Sequence, residues 1–273
     1  MNHNSAYDYG FGTKWKTCHV DYKRGYSTSV TDFHEHDFYE INLILSGNVK
    51  ILLKDRYEET TQKRIVLTSP KVPHYIQCQP DMLYRRVYLV FTDAFISGFL
   101  PEWKQLSQVF GNSGRIIAVT EASAAMLLQL IEQIESEENA LGQRLLICYL
   151  LLQLSHMAGT ETYSLQETPA YIFDTLAYLE HHYAERINFS ALAQQLFIGR
   201  TTLMTEFKAY TGRTLGEYLR SCRLKHAIEY LQQKKTLEYT AEKCGFSDSS
   251  GLIRAFRRVY DVTPHQYIMR ITK

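Results

Sequence analysis

Between residues 26 and 92 apolar residues come in short bursts, FYEINLIL, VKILL, RIVLTS and YRRVYLVF, separated by turn-forming stretches such as SGN and SPKVP. Runs of this length, rich in β-branched and aromatic residues and bounded by Gly, Pro, Asn and Ser, predict antiparallel strands spaced as in a sandwich or barrel. From Glu121 the period changes. Met126, Leu127, Leu130, Ile131 and Ile134 form one apolar stripe at helical spacing, and Leu145, Leu146, Tyr149, Leu150, Leu152 and Leu154 form a second. Two helices after a small barrel can cover it, pair with a second subunit, or do both. Residues 159–169 have the polar, small-residue character of a linker, and from Ala170 onward the pattern is helical throughout. The predicted fold is α+β: an antiparallel β-barrel over 1–118, two helices within 119–158 as a dimerisation segment, the linker 159–169, and an all-α domain over 170–273.

The all-α part contains a repeat, and a unit repeated at a fixed offset marks duplicated architecture. Ala193 and Ala241 each stand six residues before a small residue, Gly199 and Ser247. Leu203-Met-Thr-Glu-Phe207-Lys208 then aligns with Leu252-Ile-Arg-Ala-Phe256-Arg257, and the match continues through Thr214/Thr263, Tyr218/Tyr267 and Leu219/Ile268. The offset is 48 before the turn and 49 after it, so the second copy carries one extra residue there.

Each copy has the anatomy of two helices crossing at a turn. Asn188 is positioned to cap FSALAQQLF, and Ala193 is small enough for a second helix to cross closely. In the next helix Leu203 and Phe207 face inward, leaving Arg200, Thr201, Met204, Thr205 and Lys208 outside. In the second copy Gly245 suits a left-handed turn and Ser247 or Asp248 caps the following helix. Leu252 and Phe256 go inward there, and Ser249, Ser250, Ile253, Arg254, Arg257 and Arg258 are left for a partner. Short polar groups at a helix amino end, backed by arginine one turn later, suit a major groove, where arginine donates twice to guanine. A long helix from about Leu215 to Leu231 holds the two copies at a fixed separation.

Charge agrees with this division. Residues 1–169 hold 15 Lys+Arg against 19 Asp+Glu, whereas residues 170–273 hold 15 against 10, a net +5. A basic excess on about a hundred residues fits a phosphate-facing surface. The five cysteines are odd in number and never closer than 22 residues apart, which excludes a disulfide framework or zinc knuckle and points to a reducing cytoplasm. The polar start MNHNSAYDYGFGTKW lacks the apolar stretch of an export signal, and the longest apolar run, 145–152, is too short to span a membrane.

Residues 188–270 resemble the DNA-binding domain of AraC/XylS-type transcription regulators. The signature is A-(x)3-G-F-S-D-S-S-x-L-x-R-A-F-R-R-(x)5-T-P-(x)2-Y from Ala241 to Tyr267, with R-L-x-x-A at Arg223–Ala227 between the motifs. The chain departs from the family at Gly251, where an aromatic is usual, and at Asp261, where glycine is usual. In the first motif Gly199 replaces a capping serine, and Thr205 and Glu206 replace a more basic and apolar pair. Arg254 is therefore expected to matter more than any residue of 199–208. The resemblance implies two helix-turn-helix motifs on successive major grooves of double-stranded DNA, a homodimer, RNA polymerase as a partner of an activator, and no membrane.

The run HEHDFYEINLILSG places His34, His36, Glu40 and Asn42 at one strand parity, hence on one face. The spacing His-x-His-(x)3-Glu-(x)6-Gly, ending at Gly47, resembles the first cupin motif, and Pro73-His74 resembles the second, which makes the barrel cupin-like. In metal cupins such residues hold an ion, because imidazole and carboxylate suit zinc, iron, nickel or manganese. Gly25, nine positions before His34, is misplaced for that motif, and regulators with this sensory domain mostly carry no metal. His34, His36, Glu40, Asn42 and His74 are therefore expected to line an effector pocket, with no metal or cofactor. The resemblance implies a small polar effector, often a sugar. Tyr7, Tyr9 and Trp15 are candidates to close over it. The rival class is a metal-dependent cupin enzyme, a dioxygenase or sugar isomerase, with an appended helical domain; no Ser-His-Asp arrangement or phosphate loop is present.

Overall fold

The structure, a computed structural model, describes residues 18–25, 34–53, 56–79, 82–158 and 166–271. Tyr7, Tyr9 and Trp15 lie outside the described residues. The chain divides into two compact units between Thr168 and Pro169.

The amino-terminal unit is built on two antiparallel sheets. Strands β1 (Cys18–Gly25), β2 (Tyr39–Ser46), β5 (Arg64–Thr68), β7 (Tyr84–Phe91) and β8 (Arg115–Ala118) form one, in the order β1-β7-β2-β5-β8. Strands β3 (Val49–Leu53), β4 (Arg56–Thr60), β6 (His74–Cys78) and β9 (Gln166–Glu167) form the other, in the order β6-β3-β4-β9. Side chains alternate across a strand, so β2 serves two masters. Ile41 and Leu43 join Ile65, Leu67, Val87, Leu89 and Phe91 in one buried cluster. On the opposite face Ile44 packs with Val49, Ile51, Leu53, Val66, Ile76, Cys78, Tyr84 and Ile116 between the sheets.

The first cluster is roofed by helices. α3 (Glu121–Ser136) starts on Thr120, whose hydroxyl accepts from the Ser123 amide, and buries Leu127, Leu130, Ile131 and Ile134. α4 (Ala140–Ala158) buries Ile147, Leu150, Leu151 and Leu154. Each such side chain contributes about 1.5–3 kcal/mol on burial, so these faces hold the helices to the sheet. The apolar row read along α4 proves to belong to two faces: Leu150 and Leu154 go inward, while Leu145, Tyr149 and Leu152 are exposed.

Two short helices went unread in the sequence, α1 (Asp93–Ser97) and α2 (Trp103–Leu106), the latter running into a 3-10 turn at residues 107–110. They are stapled by tertiary contact rather than periodicity. Trp103 Nε1 donates to Asp93 Oδ1 at 2.8 Å, and its ring meets Tyr39 and Phe91. Gln166 and Glu167, within the segment read as linker, pair with Tyr57 and Arg56. An edge strand offers unpaired backbone groups, and a segment approaching Pro169 is biased toward extended backbone.

The carboxyl-terminal unit holds α5 (Ala170–His181), α6 (Phe189–Gln195), α7 (Arg200–Thr211), α8 (Leu215–Gln232), α9 (Leu237–Lys243), α10 (Ser249–Tyr260) and α11 (Pro264–Ile271). α8 is the hub, in contact with α5, α7, α9, α10 and α11. It begins with a capping box in which Thr214 and Glu217 satisfy each other's backbone amides. Within R-L-x-x-A, Arg223 donates to the carbonyls of Tyr183 and Glu185, while Leu224 and Ala227 are fully buried. The pattern thus has two jobs: arginine ties down the chain after α5, and the apolar pair joins the core.

Candidate functional site

α6 with α7, and α9 with α10, form two crossing pairs built alike. Asn188 accepts from the amides of Ser190 and Ala191 to start α6, and Thr236 accepts from the Tyr239 amide to start α9. Ala193 and Ala241 are buried at the crossings. In the second helix of each pair Leu203 and Phe207, or Leu252 and Phe256, are wholly buried. Both second helices end on a left-handed residue, Gly212 at φ 70° and Asp261 at φ 59°.

The turns locate the extra residue. Phe197 and Gly245, 48 apart, both have positive φ, 55° and 72°. The caps, Gly199 and Asp248, are 49 apart, so Ser247 is the insertion. Asp248, rather than Ser247, is the cap, and its Oδ1 accepts from the Gly251 amide at 2.6 Å. Gly245 is obligatory on two counts. Its backbone is left-handed, and a Cβ there would stand 2.4 Å from the Ala184 carbonyl oxygen.

Arg200, Thr201, Met204, Thr205 and Lys208 are all exposed on α7. On α10 Ser250, Arg254, Arg257 and Arg258 are exposed, whereas Ser249 and Ile253 are half-buried. Arg257 and Arg258 also lie in the last turn of α10, where positive charge offsets the helix dipole. Glu206 takes the hydroxyl hydrogen of Tyr171, which ties the carboxylate to α5.

The amino-terminal unit gathers His34, His36, Glu40, Asn42 and His74, all but His34 among its most buried polar residues. His34 and His74 exchange backbone hydrogen bonds as an isolated bridge, 3.0 and 2.9 Å, which sets their rings with centroids 4.3 Å apart. His36 stacks on Phe38 and its Nδ1 lies 2.9 Å from the Phe38 carbonyl oxygen. His74 Nδ1 lies 2.9 Å from the Val72 carbonyl oxygen. Glu40 receives the Asn42 side-chain amide and sits 3.4 Å from His36 Nε2 and 3.9 Å from His74 Nε2.

Burial pushes the His74 imidazole down to about 4, against the pull of Glu40. Burial works to raise the Glu40 carboxyl, but the His36 hydrogen bond and the charges of His74, His36 and Arg86 hold it well below the usual carboxylate range. Two members of this neighbourhood escaped the sequence reading. Thr68 stands opposite Glu40 in register, and Arg86, buried on β7, lies 4.9 Å from the Tyr88 ring centre. The alternation in YRRVYLVF was the available signal, since Tyr84, Arg86 and Tyr88 share a parity.

Comparison with known proteins agrees with both halves. Residues 21–155 match the model of the AraC-like ligand binding domain, and residues 192–270 match a helix-turn-helix domain. The chain belongs to the AraC family of transcription regulators: it is a DNA-binding protein with a ligand-binding amino-terminal half. Among curated relatives, the HTH-type transcriptional activator RhaS of Pectobacterium carotovorum subsp. carotovorum (strain PC1) is 27% identical over 254 residues, 85% of each chain. RhaS of Escherichia coli (strain K12 / DH10B) is 26% identical over 243 residues, again 85% of each. ToxT from Vibrio cholerae aligns over 93% of this chain and 98% of its own, at 14% identity and a TM-score of 0.42, too distant to support a further step. Among the described residues no helix is long and apolar enough to cross a membrane.

Proposed function

We propose that the chain is an effector-responsive transcription activator that reads two successive major grooves of double-stranded DNA with α7 and α10. One observation carries this reading: two matched helix pairs, on a unit of net charge +5, each leave a polar and basic helix face exposed beside a fully buried apolar one. The relatives named as transcriptional activators support the sign of regulation, and an activator's partner is RNA polymerase. Free cysteines throughout suit the cytoplasm. Selection of bound sites from a random oligonucleotide pool should recover two short blocks centred about 10–10.5 base pairs apart. A single block, or no enrichment, overturns the paired reading.

The effector enters among His34, His36, Glu40, Asn42 and His74, whose polar groups suit a small polar molecule such as a sugar. The functional unit is a homodimer formed through α4. Leu141, Leu145, Tyr149 and Leu152 are 44–55% exposed at spacings of four, four and three, a continuous apolar row opposite the face that packs on the barrel. Leu145→Glu should convert the sedimenting species from dimer to monomer; an unchanged dimer removes α4 from the interface.

A further inference from the structure

We propose that His34, His36, Glu40 and His74 together bind one divalent first-row transition-metal ion inside the amino-terminal unit, contrary to the expectation of a metal-free pocket drawn from the sequence. All four are in place at once. Each offers one ligand atom, and these atoms lie within 4.8 Å of one another. Around one ion at 2.0–2.2 Å, tetrahedral ligands stand about 3.4 Å apart and opposed ligands of an octahedral ion about 4.2 Å apart. The widest pair must therefore close by about 0.6 Å if its two ligands are opposed and by about 1.4 Å in a tetrahedral set.

Proton placement argues the same way. A backbone carbonyl can only accept, so the Nδ1 atom of His74, 2.9 Å from that of Val72, carries its hydrogen there. A neutral ring held like this presents a bare Nε2, the arrangement in which metal-binding imidazoles are fixed by a carbonyl behind them. His74 Nε2 has no hydrogen-bond partner among the described residues and faces Glu40 Oε1 at 3.9 Å. A buried acceptor without a donor thus faces a carboxylate oxygen that already takes the Asn42 amide. An unsatisfied buried acceptor is unfavourable, and a cation beside the carboxylate satisfies it.

The donor set names the class of ion. Three imidazoles and one carboxylate suit zinc, iron, nickel, manganese or cobalt, whereas calcium and magnesium take oxygen donors. Four protein ligands leave up to two positions of a six-coordinate shell for an oxygen of the effector. That the ion bears on regulation rests on reading the barrel as the sensory half; that it binds does not.

The test uses the full chain, stripped with a chelator and dialysed. Cobalt(II) should bind at about one equivalent, with visible d–d bands and no thiolate charge-transfer band, and zinc should raise the melting temperature while magnesium does not. His74→Gln should weaken zinc binding by more than the 10–100-fold lost when a ligand's supporting partner is changed. Glu40→Gln alters a buried charge, so His34→Gln serves as the second ligand variant. His181→Ala, exposed on the other unit, should bind as the parent does. Binding far below one equivalent at 100-fold excess ion, or equal binding by both ligand variants, overturns the site. Stoichiometric zinc that leaves DNA binding unmoved, with and without candidate sugars, keeps the site and removes its regulatory role.

Discussion

The two crossing helix pairs share a backbone and differ at its most demanding points. In the second, Gly245 takes the left-handed turn against the Ala184 carbonyl and Asp248 caps α10. In the first, Phe197 takes the same turn while 95% exposed, and Gly199 sits at the cap with no side chain to offer. The second pair also exposes three arginines on its second helix, where the first exposes Arg200 and Lys208. The two copies agree at their buried contacts, where a core tolerates little change of volume, and differ at surfaces and turns.

Substitutions at the matched positions test how deep that divergence runs. Gly245→Ala meets both a left-handed penalty and a collision with backbone, and should cost about 2–4 kcal/mol of stability in chemical denaturation. A loss under half of the lower bound would show that the turn can shift. Next comes recognition. Arg254→Ala should weaken specific DNA binding by about 1–3 kcal/mol and relax base preference at one position, measured by fluorescence anisotropy on matched and mismatched sites. Thr205→Ala, its counterpart on α7, should do less; a larger effect there would reverse the ranking of the two motifs.

Smaller differences follow at the caps. Asp248→Ala removes the acceptor of the Gly251 amide and should cost about 0.5–2 kcal/mol of stability in chemical denaturation, whereas Gly199→Ser should add a few tenths of a kcal/mol at most. Equal effects of opposite sign would mean the two caps are energetically alike. Last, Phe197→Gly relieves a left-handed residue that buries almost nothing. The gain should be about half a kcal/mol, the left-handed penalty less the entropy that glycine loses on folding. A loss of stability would show that the exposed ring has a contact in solution.

Much of this was legible from residue types. The offset of 48 becoming 49 located both turns, Asn188 was recognisable as a cap, and Leu203, Phe207, Leu252 and Phe256 were readable as inward because four-residue spacing fixes one side of a helix. Same-parity placement of His34, His36 and Glu40 was equally readable, since alternation along a strand is a backbone property. The α4 row was misleading for a physical reason: Leu145 and Leu150 are equally apolar, and only packing against α3 and the sheet assigns one to the interior and the other to solvent.

Local chemistry, then, determined the order of elements, the duplicated helix pairs, their caps and the polar character of one barrel face, all of which depend on neighbours a few residues away. Tertiary structure alone decided that His74 comes to lie against His34 across forty residues of chain, that Arg86 is buried on the barrel unit, and that Gly245 must clear Ala184. Those contacts join positions whose separation in sequence carries no periodic signal, so they exist only once the sheets have paired and the helices have packed.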